Sequence, residues 1–183
     1  IAGVDYKKDY KKKTVMNQGM IIIPKNWATG KRGGSATCFD FGKTYGAPEE
    51  VRRLRKKGWN FVGENTLWLL DAGDCGTIGV CVCYDFMDVE RHLMYRNNVH
   101  HLIVIAYNRD ITSFNHVAEA VSRTVYTNVV VCNTGFYGGS VAITPYYQPI
   151  KRTVFRHEGQ DLFTFQLIKV PVSSLDYART HER

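Results

Sequence analysis

Residues 78–86 read Ile-Gly-Val-Cys-Val-Cys-Tyr-Asp-Phe, an apolar run that stops abruptly at Cys83. A buried strand that ends in this way can present its sulfur at the carboxyl end of a sheet, the edge at which open α/β sheets gather ligands and reacting groups. A single cysteine at that edge, followed by a helix, is a candidate nucleophile. The alternative for Cys83 is a buried structural thiol, which is the commoner role of a cysteine in a strand.

Length and composition indicate one globular domain. The chain has 183 residues, 44% of them hydrophobic and 22% charged, which is enough for a substantial core, so we expect a single domain over residues 1–183. No apolar run approaches the roughly 20 residues that span a bilayer, and the first residues show no signal peptide, so we expect no membrane contact. Because the chain opens at Ile1 without an initiator methionine, we expect it to begin partway through a larger protein.

The cysteines indicate a reducing compartment. Their number, five, is odd, and they lie in strand-like contexts, which is typical of reduced thiols in the cytoplasm. Cys81 and Cys83 are separated by one residue, a spacing that suits no zinc knuckle. Gly30 and Lys31 suggest a phosphate loop, but Arg32 stands where Ser or Thr is required. The residues therefore predict neither a metal nor a cofactor.

The basic residues cluster at residues 7–13 and 52–57, and the chain has a net charge of +7. Such clusters could bind nucleic acid or an acidic partner. Aromatic residues are not interleaved as they are in RNA-recognition sheets, and there is no helix-turn-helix signature. The sequence therefore favours a solvated basic face and leaves nucleic-acid binding open.

Hydrophobic periodicity and turn residues divide the chain into strands and helices. The predicted strands are residues 1–4, 15–23, 36–41, 67–71, 77–83, 101–106, 128–132, 141–144, 153–155 and 162–170. The predicted helices are residues 49–57, 88–98 and 114–126, the last capped by Ser113. A glycine- and lysine-rich loop or hairpin is predicted at residues 26–35.

Residues 77–133 alternate strand, helix, strand, helix and strand. This is the pattern of βαβ units, which implies a parallel core with right-handed crossovers. The strands on either side are spaced as antiparallel hairpins. The predicted fold class is therefore α/β, with mixed sheets and helices on the outer faces.

Several segments, which occur in the family's order along the chain, carry a resemblance to a known family. Residues 76–85 resemble the nucleophile motif of the nitrilase superfamily, the carbon–nitrogen hydrolases, and Lys43 with residues 48–50 (Pro-Glu-Glu) resembles its catalytic-lysine segment. Residues 133–145 are similar to the family's N-x-x-G, G-G-S and P stretch. The family's helix before that stretch is similar to residues 114–126, with Arg123. Its last strand and tail are similar to residues 162–175, with Arg179.

The resemblance implies a nitrilase-like α-β-β-α sandwich, four layers deep once two subunits pair. It also implies hydrolysis of a nonpeptide carbon–nitrogen bond, in a small-molecule amide, nitrile or carbamoyl compound, through a cysteine thioester and a Glu-Lys-Cys triad. The family's triad glutamate precedes the segment that residues 1–4 resemble. We therefore expect that the N-terminal part of the domain is absent, that the chain matches about the C-terminal two-thirds of it, and that the catalytic glutamate is missing. A homo-oligomer is implied by the same analogy.

The resemblance also assigns roles to individual residues. Cys83 is the nucleophile, Lys43 favours its thiolate, and Lys43 and the backbone N–H of Tyr84 bind the oxyanion. Glu50, which follows Lys43, matches only the family's auxiliary glutamate. An ordinary acidic residue at a helix N-terminus is the alternative for Glu50.

Further residues are predicted around the pocket. Asn108, at the end of a strand beside that of Cys83, is a pocket residue or a turn-former. Gly138 and Gly139 are expected to provide backbone geometry near the pocket. Asp85 is expected to brace the turn after Cys83, and a papain-like pairing of Cys83 with His116 is less favoured.

Two functions remain open on the sequence alone. The first is an amidase-type hydrolase. The second is a catalytically silent or regulatory nitrilase-like module fused to another domain, such as the reverse transcriptase of a bacterial anti-phage system, with which a basic face would be compatible.

Overall fold

Each of the two units into which the chain divides, Ile1–Thr66 and Leu67–Arg183, is built on one sheet. The computed structural model describes residues 1–26 and 34–181. The loop or hairpin predicted at residues 26–35 falls mainly on residues 27–33, which lie outside the described part. Among the described residues, no helix combines the length and the hydropathy needed to cross a membrane. A single domain over residues 1–183 stays a prediction.

The first unit holds a four-stranded sheet and one helix. Strands β1 (Ala2–Asp9), β2 (Thr14–Pro24) and β3 (Ala36–Gly42) are antiparallel in that order. The short β4 (Asn60–Phe61), which was not predicted, pairs in parallel with the start of β2. The predicted β1 was too short, because its second half is polar and carries no hydrophobic signal. That half is an edge segment, held by main-chain pairing of Lys7 with Met16 and of Asp9 with Thr14.

Helix α1 (Pro48–Lys56) has the ends that its sequence predicts. Pro48 occupies the first turn with the acidic Glu49 and Glu50, and three cations lie in the last turn, an arrangement that the helix dipole and the missing proline N–H both favour. Its Leu54 is buried, as are the sheet residues Val15, Ile21 and Phe41. The apolar positions of these elements therefore form the core of the first unit.

The second unit holds a six-stranded mixed sheet in the order β10-β9-β8-β7-β6-β5. Its strands are β5 (Leu69–Asp71), β6 (Thr77–Val82), β7 (His101–Ala106), β8 (Asn128–Asn133), β9 (Ser140–Ile143) and β10 (Thr153–His157). The predicted parallel core is confirmed, since β6, β7 and β8 run in parallel and the outer strands are antiparallel. Its helices are α2 (Val89–Tyr95), α3 (Ile111–Val121) and α4 (Ser173–His181).

The core of the second unit lies between the parallel strands and α3. Leu102, Val104, Val129 and Val131 are almost fully buried in the middle of the sheet, and Phe114, Ala118, Val121 and Val125 form the buried stripe of the helical segment. These strands read as short, continuous apolar runs in the sequence, which is why their positions were predictable.

The second unit departs from the sequence prediction in four places. Helix α3 begins at Ile111, earlier than predicted, because Asp110 rather than Ser113 caps it: the Asp110 carboxylate accepts the Ser113 N–H at 3.1 Å. Its predicted end, Ser122–Tyr126, is a π-helical turn. Residues 162–170 form no strand despite their alternating apolar side chains, since no described strand pairs with them. Helix α4 was missed, although Leu175 and Ala178 bury its inner face.

Candidate active site

Cys83 stands at the junction between β6 and a 3₁₀ helix, Cys83–Met87. Its φ angle is +49°, in the left-handed region that a non-glycine residue rarely adopts. Such backbone strain persists only where the surroundings over-determine it, and it concentrates at functional sites. The side chain is half-buried, with Sγ 4.0 Å from the carbonyl oxygen of Tyr107 at the end of β7. The thiol is therefore presented at the carboxyl end of the parallel strands, as the sequence predicted.

The other cysteine of this strand, Cys81, has a different environment. It is 1% exposed, and burial raises the pKa of its thiol to about 12. Since the thiolate is the nucleophilic form, Cys81 is an inert core residue. Only Cys83, of these two, is placed for chemistry.

The turn after Cys83 is anchored by buried polar groups. Asp85 is fully buried, and its Oδ2 lies 4.0 Å from Nη2 of the buried Arg91 on α2. His92, also on α2, contacts the Phe86 carbonyl oxygen at 2.8 Å. These contacts tie the 3₁₀ helix to α2, which agrees with the bracing role expected of Asp85.

Asn133, at the end of β8, organises the neighbouring strand ends and was not predicted as a site residue. Its Nδ2 donates to the carbonyl oxygens of Asn108 and Gly138, both at 2.7 Å, and its Oδ1 accepts the Asn108 N–H at 2.9 Å. Its backbone N–H donates to Ser140 Oγ at 3.0 Å. The signal that could have revealed it is its position as the last residue of a buried parallel strand, level with Cys83.

Asn108 forms the hydrogen bonds of a turn. Its Nδ2 donates to the Asp110 carbonyl oxygen and its Oδ1 accepts the Asp110 N–H, both at 3.1 Å. This matches the turn-former alternative, so a role for Asn108 in the pocket stays a prediction.

Gly138 and Gly139 both have left-handed backbones, with φ of +69° and +76°. A Cβ on Gly138 would lie 2.2 Å from the Gly159 carbonyl oxygen, and one on Gly139 would lie 2.5 Å from a methyl carbon of Ile111. Only glycine fits both the angles and the space. The pair therefore serves backbone geometry, as expected, while a contact with substrate stays a prediction.

Three aromatic side chains, the exposed Tyr107 and Phe136 and the half-buried Tyr137, lie along the same edge. The rings of Tyr107 and Tyr137 are 4.9 Å apart, and Phe136 packs edge-on against Tyr137. Because the Tyr107 carbonyl oxygen is the neighbour of the Cys83 sulfur, these rings are candidates for the wall of a substrate site. His116 is exposed on α3.

In the first unit, Lys43 and Glu50 form a buried ion pair. Lys43 Nζ lies 2.5 Å from Glu50 Oε2, and the two residues are 1% and 9% exposed. Lys43 follows β3, and its backbone is fixed by hydrogen bonds to Asn17 and Glu64. Burial of an ion pair is tolerated only when its remaining polar atoms are also satisfied.

Glu50 meets that condition through three further donors. Its Oε1 accepts the Tyr6 hydroxyl at 2.7 Å and Asn17 Nδ2 at 3.0 Å, and its Oε2 also accepts the Ala47 N–H at 3.1 Å. The carboxylate thus links β1, β2, the segment after β3 and the start of α1. Glu50 is therefore an acid of the first helical turn that also pairs with Lys43, while its role as the family's auxiliary glutamate stays a prediction.

The electrostatics follow from these contacts. Burial acts to raise the pKa of Glu50, but the hydrogen bond and charge of Lys43, with the Tyr6 and Asn17 donors, outweigh it and hold the pKa below its ordinary value. Burial and the adjacent carboxylate together raise the pKa of Tyr6 to about 12. Glu50 is therefore a stable anion that fixes the Lys43 ammonium in place.

No cluster of three or more metal-ligating side chains occurs in the described ranges 1–26 and 34–181.

The comparison with solved structures concerns the fold. A CN-hydrolase superfamily protein of Xanthomonas campestris, with an arsenic adduct in its active site, matches 97% of this chain and 64% of its own with a TM-score of 0.66 and 13% identity.

An amidase of Nesterenkonia sp. AN1 matches 93% of this chain and 64% of its own with a TM-score of 0.58 and 15% identity. A mutant of the same amidase shows Michael addition of acrylamide at its active-site cysteine. It matches 81% of this chain and 55% of its own, with a TM-score of 0.56 and 16% identity. No family model and no curated protein matches the sequence.

The chain therefore has the mixed α/β fold of the nitrilase superfamily, and the resemblance found in the sequence is confirmed in the fold. It spans less than two thirds of the length of the structures that it matches.

Proposed function

We propose that the chain carries the nucleophile of a hydrolase that acts on a nonpeptide carbon–nitrogen bond in a small amide, nitrile or carbamoyl compound. The observation that carries the proposal is the position of Cys83, half-exposed in a left-handed conformation at the carboxyl end of the central strands. The fold, shared with an amidase that reacts at a cysteine, supports it. A cytoplasmic setting and self-association belong to the same proposal.

The proposed reaction on an amide has two stages. The Cys83 thiolate attacks the carbonyl carbon, a C–S bond forms, and the C=O electron pair moves to oxygen. When the tetrahedral intermediate collapses, the C–N bond breaks, the amine leaves with the proton that the Cys83 thiol lost on forming its thiolate, and a thioester remains. Water then attacks the thioester, the C–S bond breaks, and the acid and the thiol are released.

The developing oxyanion needs a donor. The backbone N–H of Tyr84, the first after the nucleophile, is the proposed one, and one such donor typically contributes about 3 to 4 kcal/mol to transition-state stabilisation. Asn133 would act indirectly by holding the strand ends.

Lys43 is the proposed cationic partner of Cys83, a role that comes from the resemblance. What supports it is that the ammonium is buried and fixed by Glu50, since a positioned cation costs no reorganisation when charge develops. Glu50 itself is not the proton shuttle, because a carboxylate that accepts four hydrogen bonds is a weak base. In the resemblance, the glutamate that shuttles the protons lies in a segment before Ile1.

The alternative function, a catalytically silent module fused to another domain, has no support in the comparisons.

The test is ammonia release from a panel of small amides by the full-length protein, combined with intact-mass detection of the acyl-enzyme. We expect Cys83→Ala to abolish both signals while circular dichroism stays unchanged. Cys132→Ala, at the exposed cysteine of β8, is the matched control and should retain both. Release of ammonia by Cys83→Ala at the unaltered rate would overturn the proposal.

Lys43 is tested with a variant that keeps the interior neutral. Lys43→Met alone leaves the Glu50 carboxylate buried without its partner, so it is compared with the double variant Lys43→Met/Glu50→Gln. We expect the double variant to fold and to lose amide turnover by at least about 100-fold, as for a lost oxyanion donor. A folded double variant with full turnover would remove Lys43 from the mechanism.

A further inference from the structure

The positive charge of this chain is concentrated in its first 66 residues. These hold 14 of the 24 Lys and Arg residues but only 6 of the 17 Asp and Glu residues, whereas residues 67–183 hold 10 cations and 11 anions. Most of the excess lies in the two basic clusters, residues 7–13 and 52–57. An asymmetry of this size indicates a surface that attracts polyanions.

The tip of the β1–β2 hairpin displays five lysines: Lys7, Lys8, Lys11, Lys12 and Lys13. The Asp9 carboxylate accepts the backbone N–H groups of Lys11 and Lys12, both at 3.0 Å, and so fixes the turn with its basic side chains exposed. Within the described part of the chain, none of the five forms a salt bridge. Their charge is therefore available to a partner.

Aromatic rings stand among these lysines. Tyr10, at the tip, is 69% exposed and contacts Trp59 edge-to-face with the ring centroids 5.4 Å apart. Lys13 Nζ lies 5.3 Å from the Trp59 ring centroid. Trp59 in turn follows α1, and its N–H donates to the Leu54 carbonyl oxygen. The hairpin tip is thus joined to the end of α1, which carries the second basic cluster.

A groove of about 480 Å³ runs beside the tip. Lys7, Lys8 and Lys11 line it together with the apolar side chains of Val15, Met16 and Val62. A groove that is cationic and partly apolar suits a ligand with alternating charged and flat apolar parts.

From this surface we propose that the first unit binds single-stranded nucleic acid along the β1–β2 hairpin tip and the end of α1. The lysines of the hairpin tip contact the phosphates, and the aromatic ring of Tyr10 stacks on a base. Stacking is what favours a single strand over a duplex, whose bases are paired, and over an acidic peptide, which has no bases. This inference does not depend on the proposed hydrolase activity.

The experiment measures fluorescence anisotropy of labelled oligo(dT) with the full chain at about 50 and 200 mM salt, since phosphate contacts make the affinity fall with salt. The test variant is Lys8→Gln/Lys11→Gln/Lys12→Gln, which leaves Lys13 on Trp59. The charge-matched control is Arg96→Gln/Lys151→Gln/Lys169→Gln, which removes three exposed cations of the second unit. Thermal unfolding checks that both variants fold.

We expect the test variant to bind at least about tenfold more weakly at low salt, with a salt slope smaller by about 2, the value for three lost contacts to a single strand. The control variant should bind within about twofold of the wild type at low salt, because its three cations lie outside the proposed surface. Equal weakening in both variants would mean non-specific attraction and would overturn the proposal.

The stacking role is tested separately with Tyr10→Leu, which keeps an apolar side chain and all the charge. We expect it to weaken oligo(dT) binding about tenfold and to leave binding of a polyglutamate peptide unchanged. If polyglutamate competes as well as unlabelled oligo(dT), or if Tyr10→Leu binds oligo(dT) normally, the surface is not a single-strand site and the inference fails.

Discussion

Lys43 Nζ and Glu50 Oε2 lie 2.5 Å apart in the interior of the first unit, and the same carboxylate accepts three more hydrogen bonds, from Tyr6, Asn17 and the backbone of Ala47. The two residues are seven positions apart in the sequence, but the pair is completed by Tyr6 and Asn17, which are far from both. This arrangement makes the ion pair a structural joint as well as a candidate part of an active site.

Removal of the Glu50 charge should destabilise the protein strongly. In Glu50→Gln, the Lys43 ammonium stays buried without a counter-ion, and breaking a buried pair in this way costs about 3 to 5 kcal/mol. The measurement is the free energy of unfolding from a denaturant titration. Glu49→Gln is the matched control, since Glu49 pairs with Arg52 on an exposed surface and should change stability by less than about 0.5 kcal/mol. Equal effects of the two substitutions would contradict the prediction.

The same carboxylate should make stability depend on acid pH. The pKa of Glu50 in the folded protein lies below its ordinary value of 4.5, so the unfolded chain binds its proton first on acidification. The stabilising contribution is therefore complete above about pH 5 and is lost as the pH falls through the folded-state pKa. We expect the difference in unfolding free energy between wild type and Glu50→Gln to shrink below about pH 4.5. A difference that stays constant from neutral pH to pH 3 would rule this out.

The two cysteines around β6 should differ in reactivity. Because burial raises the pKa of the Cys81 thiol to about 12 and its side chain is 1% exposed, we expect iodoacetamide to modify Cys83 in the native protein and Cys81 only after denaturation. Because no Lys or Arg lies between Lys57 and Arg91, both cysteines fall on one tryptic peptide. Fragment-ion mass spectrometry assigns the modified residue, and Cys83→Ala checks that assignment. Native labelling of Cys81 at the rate of Cys83 would be incompatible with the structure.

Gly138 should tolerate no side chain. Gly138→Ala combines a left-handed φ with a Cβ that would lie 2.2 Å from a backbone oxygen, so we expect a loss of at least about 3 kcal/mol, more than the conformational cost alone. Gly73→Ala is the control, because Gly73 has a φ of +57° but nothing within 4 Å of its added Cβ. It should cost only about 1 to 2 kcal/mol. Thermal unfolding of the two variants gives the comparison, and similar losses would show that the close contact relaxes easily.

Asn133 should contribute more to the free energy of unfolding than a surface asparagine does. Asn133→Ala removes three side-chain hydrogen bonds that hold the ends of the parallel strands, and each typically contributes about 1 kcal/mol. Asn98→Ala, which loses one exposed bond to Met94, is the control and should cost less than about 1 kcal/mol. If Asn133→Ala unfolds at the denaturant concentration of Asn98→Ala, the role assigned to Asn133 is wrong.

The sequence predicted the parallel core because β6, β7 and β8 appear as short, unbroken apolar runs. The same physics placed Cys83 at the end of β6 and Lys43 just after β3. The signal was weaker where structure depends on main-chain pairing, as in the polar second half of β1, which looks like a turn by composition.

Long-range polar contacts were beyond sequence reasoning. Nothing in the spacing of Asn133 shows that its amide bridges Asn108 and Gly138, and the choice of Asp110 over Ser113 as helix cap depends on where the preceding turn ends. At residues 162–170 the error is the opposite one, because a strand was predicted and none forms. The alternating apolar pattern favours a strand, but a strand also needs a neighbouring strand to pair with, and local sequence carries no information about that pairing.

This unpaired segment, residues 162–170, offers a protease a site at which to cut the chain. Phe165 is 93% exposed and Leu167 is 90% exposed, in a segment outside any helix or strand, where proteases preferentially cut. A chymotrypsin-like cut there would break the covalent link to α4 but leave the helix in place. Arg179 would still hold it through guanidinium hydrogen bonds to the Val99 and Tyr126 carbonyl oxygens. The nicked protein would then migrate as two fragments under denaturing conditions and as one folded particle in native solution.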